Sequence, residues 1–184
     1  MKAKLFDSAI VSTPQEALDI IGNILESSTE YSIIGEDLDG RILLWNEGAH
    51  RLYGYESEEV LGRANSSILR TPEDVKAGRH RAIMKSALGH GKWEGVMGRI
   101  RKDGSRFTAR VEITPRRNTD GKFIGFLIIS KDITEEIRLN EELLATHSYT
   151  RALEDKFRGP LTPDQYHQLT DDTGQRTAKM CSRK

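Results

Sequence analysis

Apolar positions in this chain repeat with two periods, and the order in which those periods alternate predicts the architecture. Ala17, Leu18, Ile21, Ile24 and Leu25 recur at helical spacing behind Thr13-Pro14-Gln15-Glu16, which places a capping hydroxyl, a proline at the first helical position and a capping-box carboxylate in the expected order. Such a stripe has to be buried against the globular unit or against a second copy of the chain. Extended runs follow at Tyr31 to Gly35 and Arg41 to Trp45, and Glu36-Asp37-Leu38-Asp39-Gly40 between them suits the tight turn of a hairpin. Asn46 then caps a short helix over Glu47 to Tyr53, Gly54 stops it, and Ser57-Glu58-Glu59-Val60-Leu61-Gly62 repeats the same cap-and-stop pattern. Thr71-Pro72-Glu73-Asp74 opens a longer helix that is expected to run to Leu88, ended by Gly89-His90-Gly91. On that helix His80 shares a side with Ile83, Met84 and Ala87, so its imidazole is expected to face the interior.

Period two returns in Lys92 to Arg101, Ser105 to Thr114 and Phe123 to Ser130, joined by turns at Lys102-Asp103-Gly104 and Asn118-Thr119-Asp120-Gly121. The middle run alternates Phe107, Ala109, Val111 and Ile113 against Thr108, Arg110, Glu112 and Thr114, which predicts one buried and one wet face. By contrast Phe123-Ile124-Gly125-Phe126-Leu127-Ile128-Ile129 is apolar on both faces, and the N-terminal stripe is the expected cover for the second. Beyond Asp132-Ile133-Thr134 the period is helical again. Leu139, Leu143, Thr146, Thr150, Leu153 and Phe157 form one seam and Ile133, Ile137 and Leu144 a neighbouring one. Two readings of this exit helix stay open, a parallel coiled coil between two copies and a solvated helix resting its apolar edge on its own domain. Domain boundaries are accordingly expected at 1–29 for the N-terminal cap helix, 30–134 for the globular unit, 135–157 for the exit helix and 158–184 for a polar, partly disordered tail. Within that tail Thr162-Pro163-Asp164-Gln165 is the start of a short candidate helix carrying Tyr166 and Leu169.

Composition narrows the function classes. The 184 residues suffice for one core with flanking arms, and 28 basic against 28 acidic side chains leave no field that would draw the chain onto nucleic acid or anionic lipid. A single cysteine, Cys181, makes no internal disulfide, and no run reaches the apolar length of a membrane span, so a cytoplasmic setting without membrane contact is expected. Catalysis is not expected. Glu58 and Glu59 are adjacent and cannot face each other, Glu112 with Arg110 reads as charge pairing on a wet strand, and no serine or cysteine has a recognisable base.

Asp37-Leu38-Asp39-Gly40, Trp45-Asn46, Tyr53-Gly54-Tyr55, Glu59-Val60-Leu61-Gly62-Arg63, Arg101-Lys102-Asp103-Gly104, Gly121, Gly125 and Asp132-Ile133-Thr134, in unbroken order, resemble a PAS domain, the sensor module of bacterial signalling proteins of histidine-kinase type. The resemblance implies an α+β fold: a five-stranded antiparallel sheet of order 2-1-5-4-3 with helices cupping one face around a ligand pocket. It further implies sensing or partner contact, an output kinase or cyclase outside this chain, and a structural role for the closing Asp-Ile-Thr. Asp132 and Thr134 are both able to cap the helix that begins at Glu135-Glu136, so Asp132, Ile133 and Thr134 are the expected signal relay.

For the pocket, the family offers three chemistries. Photoreceptor members carry a cysteine after the Gly-Arg pair, but Gly62-Arg63 is followed here by Ala64-Asn65-Ser66-Ser67, which excludes a covalent flavin adduct. Haem-binding members carry a histidine on the helix of His80; counting forward from Pro72 puts Arg79 at that place, whereas counting back from Gly91 favours His80. His50, His90, His147 and His167 show no metal-ligand spacing with His80. Members with noncovalent FAD resemble this chain at Trp93 and Gly95-Val96. Trp93, His80, Met84, Tyr53 and Met97 are thus the candidate cofactor-binding residues, with FAD, haem or no cofactor as alternatives. Tyr31, Ile33, Phe107 and Ile129 are further candidate walls. A homodimer through the N-terminal and exit helices and a small-molecule ligand are the expected partners. The competing reading is a ligand-free dimerisation module.

Overall fold

The computed structural model describes residues 11–156, so Phe157 and the expected tail lie outside the described residues. Five strands, β1 (Ser32–Glu36), β2 (Ile42–Trp45), β3 (Trp93–Ile100), β4 (Arg106–Arg117) and β5 (Phe123–Asp132), form one antiparallel sheet of order β2-β1-β5-β4-β3, the order expected from the sequence. The apolar side chains of β4 explain why one face of this sheet is dry. Phe107, Ala109, Val111 and Ile113 are 4% exposed or less, and full burial of a Phe, Val or Ile contributes about 1.5–3 kcal/mol.

Short helices between β2 and β3 cover that face: α2 (Glu47–Tyr53), α3 (Ser57–Val60), one 3-10 turn at Ser66–Leu69, α4 (Pro72–Lys76) and α5 (Arg79–His90). Tyr53 anchors α2, its ring 5.5 Å from Phe107 in an edge-on arrangement and 5.8 Å from Trp45. The single helix expected from Thr71 to Leu88 is two, because Gly78 at φ 63° breaks it, a left-handed conformation that costs a residue with a Cβ and not glycine.

Ahead of the sheet, α1 (Pro14–Ser27) starts with the full Thr13–Glu16 capping box. Its C-terminal end is tied to the domain by Asn46, whose Nδ2 donates to the carbonyls of Leu25 (3.1 Å), Ser28 (2.9 Å) and Tyr31 (3.0 Å) while its Oδ1 accepts from Ile33 N and Ala49 N. Gly48 permits this approach, since a Cβ there would lie 2.0 Å from the Tyr31 carbonyl oxygen. The expected burial of the α1 stripe on β5 is not found: Leu18, Ile21 and Ile24 are 62%, 41% and 57% exposed. The reason is the anchor, which joins α1 to α2 at one end instead of laying it across the sheet.

A second compact unit begins at Glu136 and holds most of α6 (Thr134–Lys156). In it Leu139, Leu143, Leu144 and Tyr149 are exposed.

Candidate functional site

Beneath the sheet, helices α4 and α5 and the 3-10 turn enclose a cavity of about 20 Å³, the space of a single water. Its walls are of two kinds. Ile34, Tyr53, Leu69, Ile83, Met84, Met97, Ile113 and Ile128 make the apolar side; Arg70, Arg99, His80, Ser66, Asp74 and Arg79 make the polar one. Of the residues expected at a pocket, the structure therefore brings together His80, Met84, Tyr53 and Met97. Trp93 is not among them, because its indole turns along the strand and covers Gly95, where a Cβ would lie 2.6 Å from the ring. Tyr31, Ile33 and Ile129 belong to the opposite face of the sheet: strand alternation puts Ile34 inward and its neighbour outward, Ile33 pairs with Ile129, and Tyr31 and Ile129 share a shallow outer groove. Phe107 is a core residue, outside the cavity lining.

The polar wall draws on the 3-10 turn, α4, α5 and β3, and β1 adds Glu36 next to it. Arg70 leaves the 3-10 turn and pairs through an antiparallel backbone bridge with Arg99 of β3, which sets the two cations side by side. Glu36, the last residue of β1 and 1% exposed, supplies a carboxylate that interacts with both charges and is hydrogen-bonded by Ser66. Burial raises the Glu36 pKa despite Ser66, Arg70 and Arg99, and burial lowers that of Arg70 to about 10, so the guanidinium stays charged at neutral pH. His80 opens α5 with Nε2 3.1 Å from an Arg70 nitrogen. Arginine only donates, so the imidazole accepts there and carries its proton on Nδ1. Burial first, and then the charges of Arg70 and Arg99, push the His80 pKa down to about 4; its 4.0 Å contact with Glu36 is therefore not an ion pair at neutral pH. Among the described residues, Arg99 Nε in this wall and Oε2 of the neighbouring Glu36 are buried without a hydrogen-bond partner.

Neither flavin nor haem fits this cavity. A cofactor pocket holds several hundred Å³, the polar half is filled by guanidinium groups, and the imidazole lone pair that iron would need is taken by Arg70. The positions after Gly62-Arg63 offer no thiol. Among the described residues no group of three or more His, Cys, Asp or Glu side chains is arranged to hold a metal ion.

Sequence reasoning missed Glu36, Ser66, Arg70 and Arg99. Strand parity held a signal for two of them: Arg99 follows Trp93, Gly95 and Met97 at period two, and Glu36 follows Ser32 and Ile34. In the sequence Glu36 reads as part of the hairpin turn instead. Arg70 carries no such signal, because a backbone bridge between a 3-10 turn and a distant strand has no sequence period.

At the far end of β5 the three relay residues form one joint. Asp132 Oδ1 accepts from Thr134 N at 2.9 Å, and its Oδ2 accepts from Arg101 at 2.7 Å. Arg101 also donates to the Leu52 carbonyl in α2 and lies 4.2 Å over the Phe107 ring. Ile133 is buried, and its N–H donates to Thr108 O. Thr134 is not the cap expected of it: it is the first helical residue, and its hydroxyl accepts from Thr108 N at 2.9 Å, fastening the helix start to β4. Partial burial acts to raise the Asp132 pKa, but the hydrogen bonds from Thr134 and Arg101 outweigh it and hold the carboxyl below its ordinary value.

Comparison with known proteins places this geometry. Residues 30–135 match the family model described as PAS domain. The chain is 34% identical over 134 residues to Two-component system protein A of Emericella nidulans, covering 73% of this chain and 19% of that protein; it thus spans about a fifth of this relative's length. Among solved structures, the PAS domain of a Colwellia psychrerythraea protein superposes with a TM-score of 0.60 at 27% identity, over 65% of this chain and 98% of that one. A light-oxygen-voltage domain studied with a flavin analogue superposes with a TM-score of 0.50 at 25% identity, over 72% of this chain and 96% of that one. With more than half its residues matched to the family model and the sheet order in agreement, this chain belongs to the PAS domain family.

Proposed function

We propose that this PAS domain is the input module of a two-component signalling protein and converts a change in the cavity under its sheet into a change in the helix leaving β5. The observation that carries this reading is the Arg101–Asp132 joint: one guanidinium holds the end of α2, over the core ring of Phe107, and the carboxylate that binds the first N–H of α6. A shift of the helices over the cavity therefore reaches α6 through two hydrogen bonds rather than through a loop. In this reading the chain itself performs no catalysis, the output enzyme, a histidine kinase, is supplied by another part of the protein, and two copies pair through α1 and α6, whose apolar side chains Leu18, Ile24, Leu139 and Leu143 are exposed. The likeness to Two-component system protein A supports the signalling context.

The test is a double-mutant cycle. Met84→Ala enlarges the cavity, and amide exchange is followed over the first turns of α6 in the wild-type and Asp132→Ala backgrounds. The cavity substitution is expected to change exchange there at least threefold in the first background and not in the second. Equal changes in both, or none in either, would defeat the relay. A second reading, a ligand-free dimerisation module, is favoured by the small cavity volume; it requires that dimerisation persist while the cavity substitution leaves α6 exchange unaltered.

A further inference from the structure

We propose that the cavity beneath the sheet is a receptor for a short-chain monocarboxylate, its head on Arg70 and Arg99 and its tail among Met84, Met97 and Ile113. This rests on the ligand-sensing reading above and names the ligand class.

The charges around the cavity do not cancel. Arg70 and Arg99 are paired across an antiparallel backbone bridge and both line the cavity, a placement in which like charges directly opposite each other are destabilising. Glu36 supplies one compensating carboxylate. Arg79, at the rim, is matched by Asp74 at 3.2 Å, and His80 is held neutral as an acceptor from Arg70. One positive charge is left for an anion from outside. The second observation is independent of charge: Arg99 is 5% exposed, lines the cavity, and its Nε has no hydrogen-bond partner, a buried donor whose desolvation is unrepaid. A planar carboxylate takes such a guanidinium edge in a two-pronged arrangement.

The class follows from what surrounds those donors. Glu36 and Asp74 stand close by, so a dianion such as phosphate meets repulsion that a monoanion meets less. Apart from Tyr53 the remaining wall is aliphatic and thioether, which favours a hydrocarbon tail over a second polar group. The open volume is that of a single water, so a carboxylate with its tail enters only if the methionines move, which their unbranched side chains do at low cost.

The experiment uses the full chain, with sodium acetate, propionate and butyrate as probes at constant ionic strength, followed by unfolding temperature and calorimetric titration. Sodium chloride, inorganic phosphate and propionamide serve as comparisons. The expected result is saturable binding of the carboxylates, at least tenfold tighter than phosphate or the amide, and a loss of at least tenfold in affinity in Arg99→Lys, which keeps the charge and removes the planar fork. Met97→Phe, which fills the apolar end and leaves both arginines in place, is expected to lose butyrate while retaining acetate; it decides the matter if Arg99→Lys does not fold. No saturable binding, equal binding of propionamide, or binding of phosphate as tight as that of carboxylate overturns the assignment. Carboxylate binding with an unresponsive α6 would leave the receptor standing and sink the relay. A responsive α6 in the double-mutant cycle without carboxylate binding would do the reverse.

Discussion

His80 shows how one side chain acquires a property that its position on a helix does not foretell. Helical spacing brings it inward, but its low pKa comes from burial beside Arg70 and Arg99, which belong to other elements. An imidazole that titrates near 6.5 when unfolded and at about 4 when folded stays neutral in the fold while the unfolded chain takes up a proton. Its contribution to stability is therefore complete above pH 6.5 and is lost as the pH falls toward 4, by an amount on the order of 2–3 kcal/mol. Glu36 titrates in the opposite sense, since its raised pKa lets the folded state gain protons first on acidification, and this offsets part of the loss. Denaturant unfolding between pH 7 and pH 4 is expected to show a shallower acid slope in His80→Gln than in the wild type; parallel profiles would mean that the ring titrates alike in the folded and unfolded chain. The legibility of this site in the sequence has the same limit. His80, Met84, Tyr53 and Met97 were readable because each lies on an apolar face with a regular period, whereas the partners that decide the chemistry are joined by tertiary contact alone.

At the scale of elements, the strands and α2 follow from alternation and from cap-and-stop residues, and their limits shift by a few residues at most, as at β4, which runs on to Arg117. The failures share one cause, the placing of a helix by something other than its own stripe. Gly78 splits what reads as one helix, and Asn46, readable as a cap, also fixes where α1 ends. The short distance between α1 and α2 gives a sharp prediction. Gly48→Ala is expected to cost about 3 kcal/mol, because its Cβ would strike the backbone at Tyr31 and backbone cannot yield as a side chain does. Thermal unfolding measures the loss, and faster proteolysis within Pro14–Ser27 would show that α1 has detached. A cost below about 1 kcal/mol would indicate that this anchor is loose in solution.

For the molecule as a whole, the order of motifs from Asp37 to Thr134 was enough to carry the PAS resemblance, and the fold class and sheet order came from that resemblance; turns and alternation located the strands but hold no signal for the pairing of β1 with β5. Cavity size was not readable, because it is a remainder left by packing and changes with a single rotamer. From that remainder comes a prediction for the purified protein. With about 20 Å³ of space and no free imidazole lone pair, it is expected to be colourless, with neither a Soret band nor a flavin peak in the blue. Either band would mean that the helices over the sheet open far enough to admit a chromophore.

The attachment of Thr134 to β4 has a consequence for anything fused behind it. Each residue inserted after that point turns the downstream chain by 100° and advances it 1.5 Å while the sensor stays as it was, so whatever is driven by this shaft should respond to its phase, with seven added residues returning nearly to the starting angle.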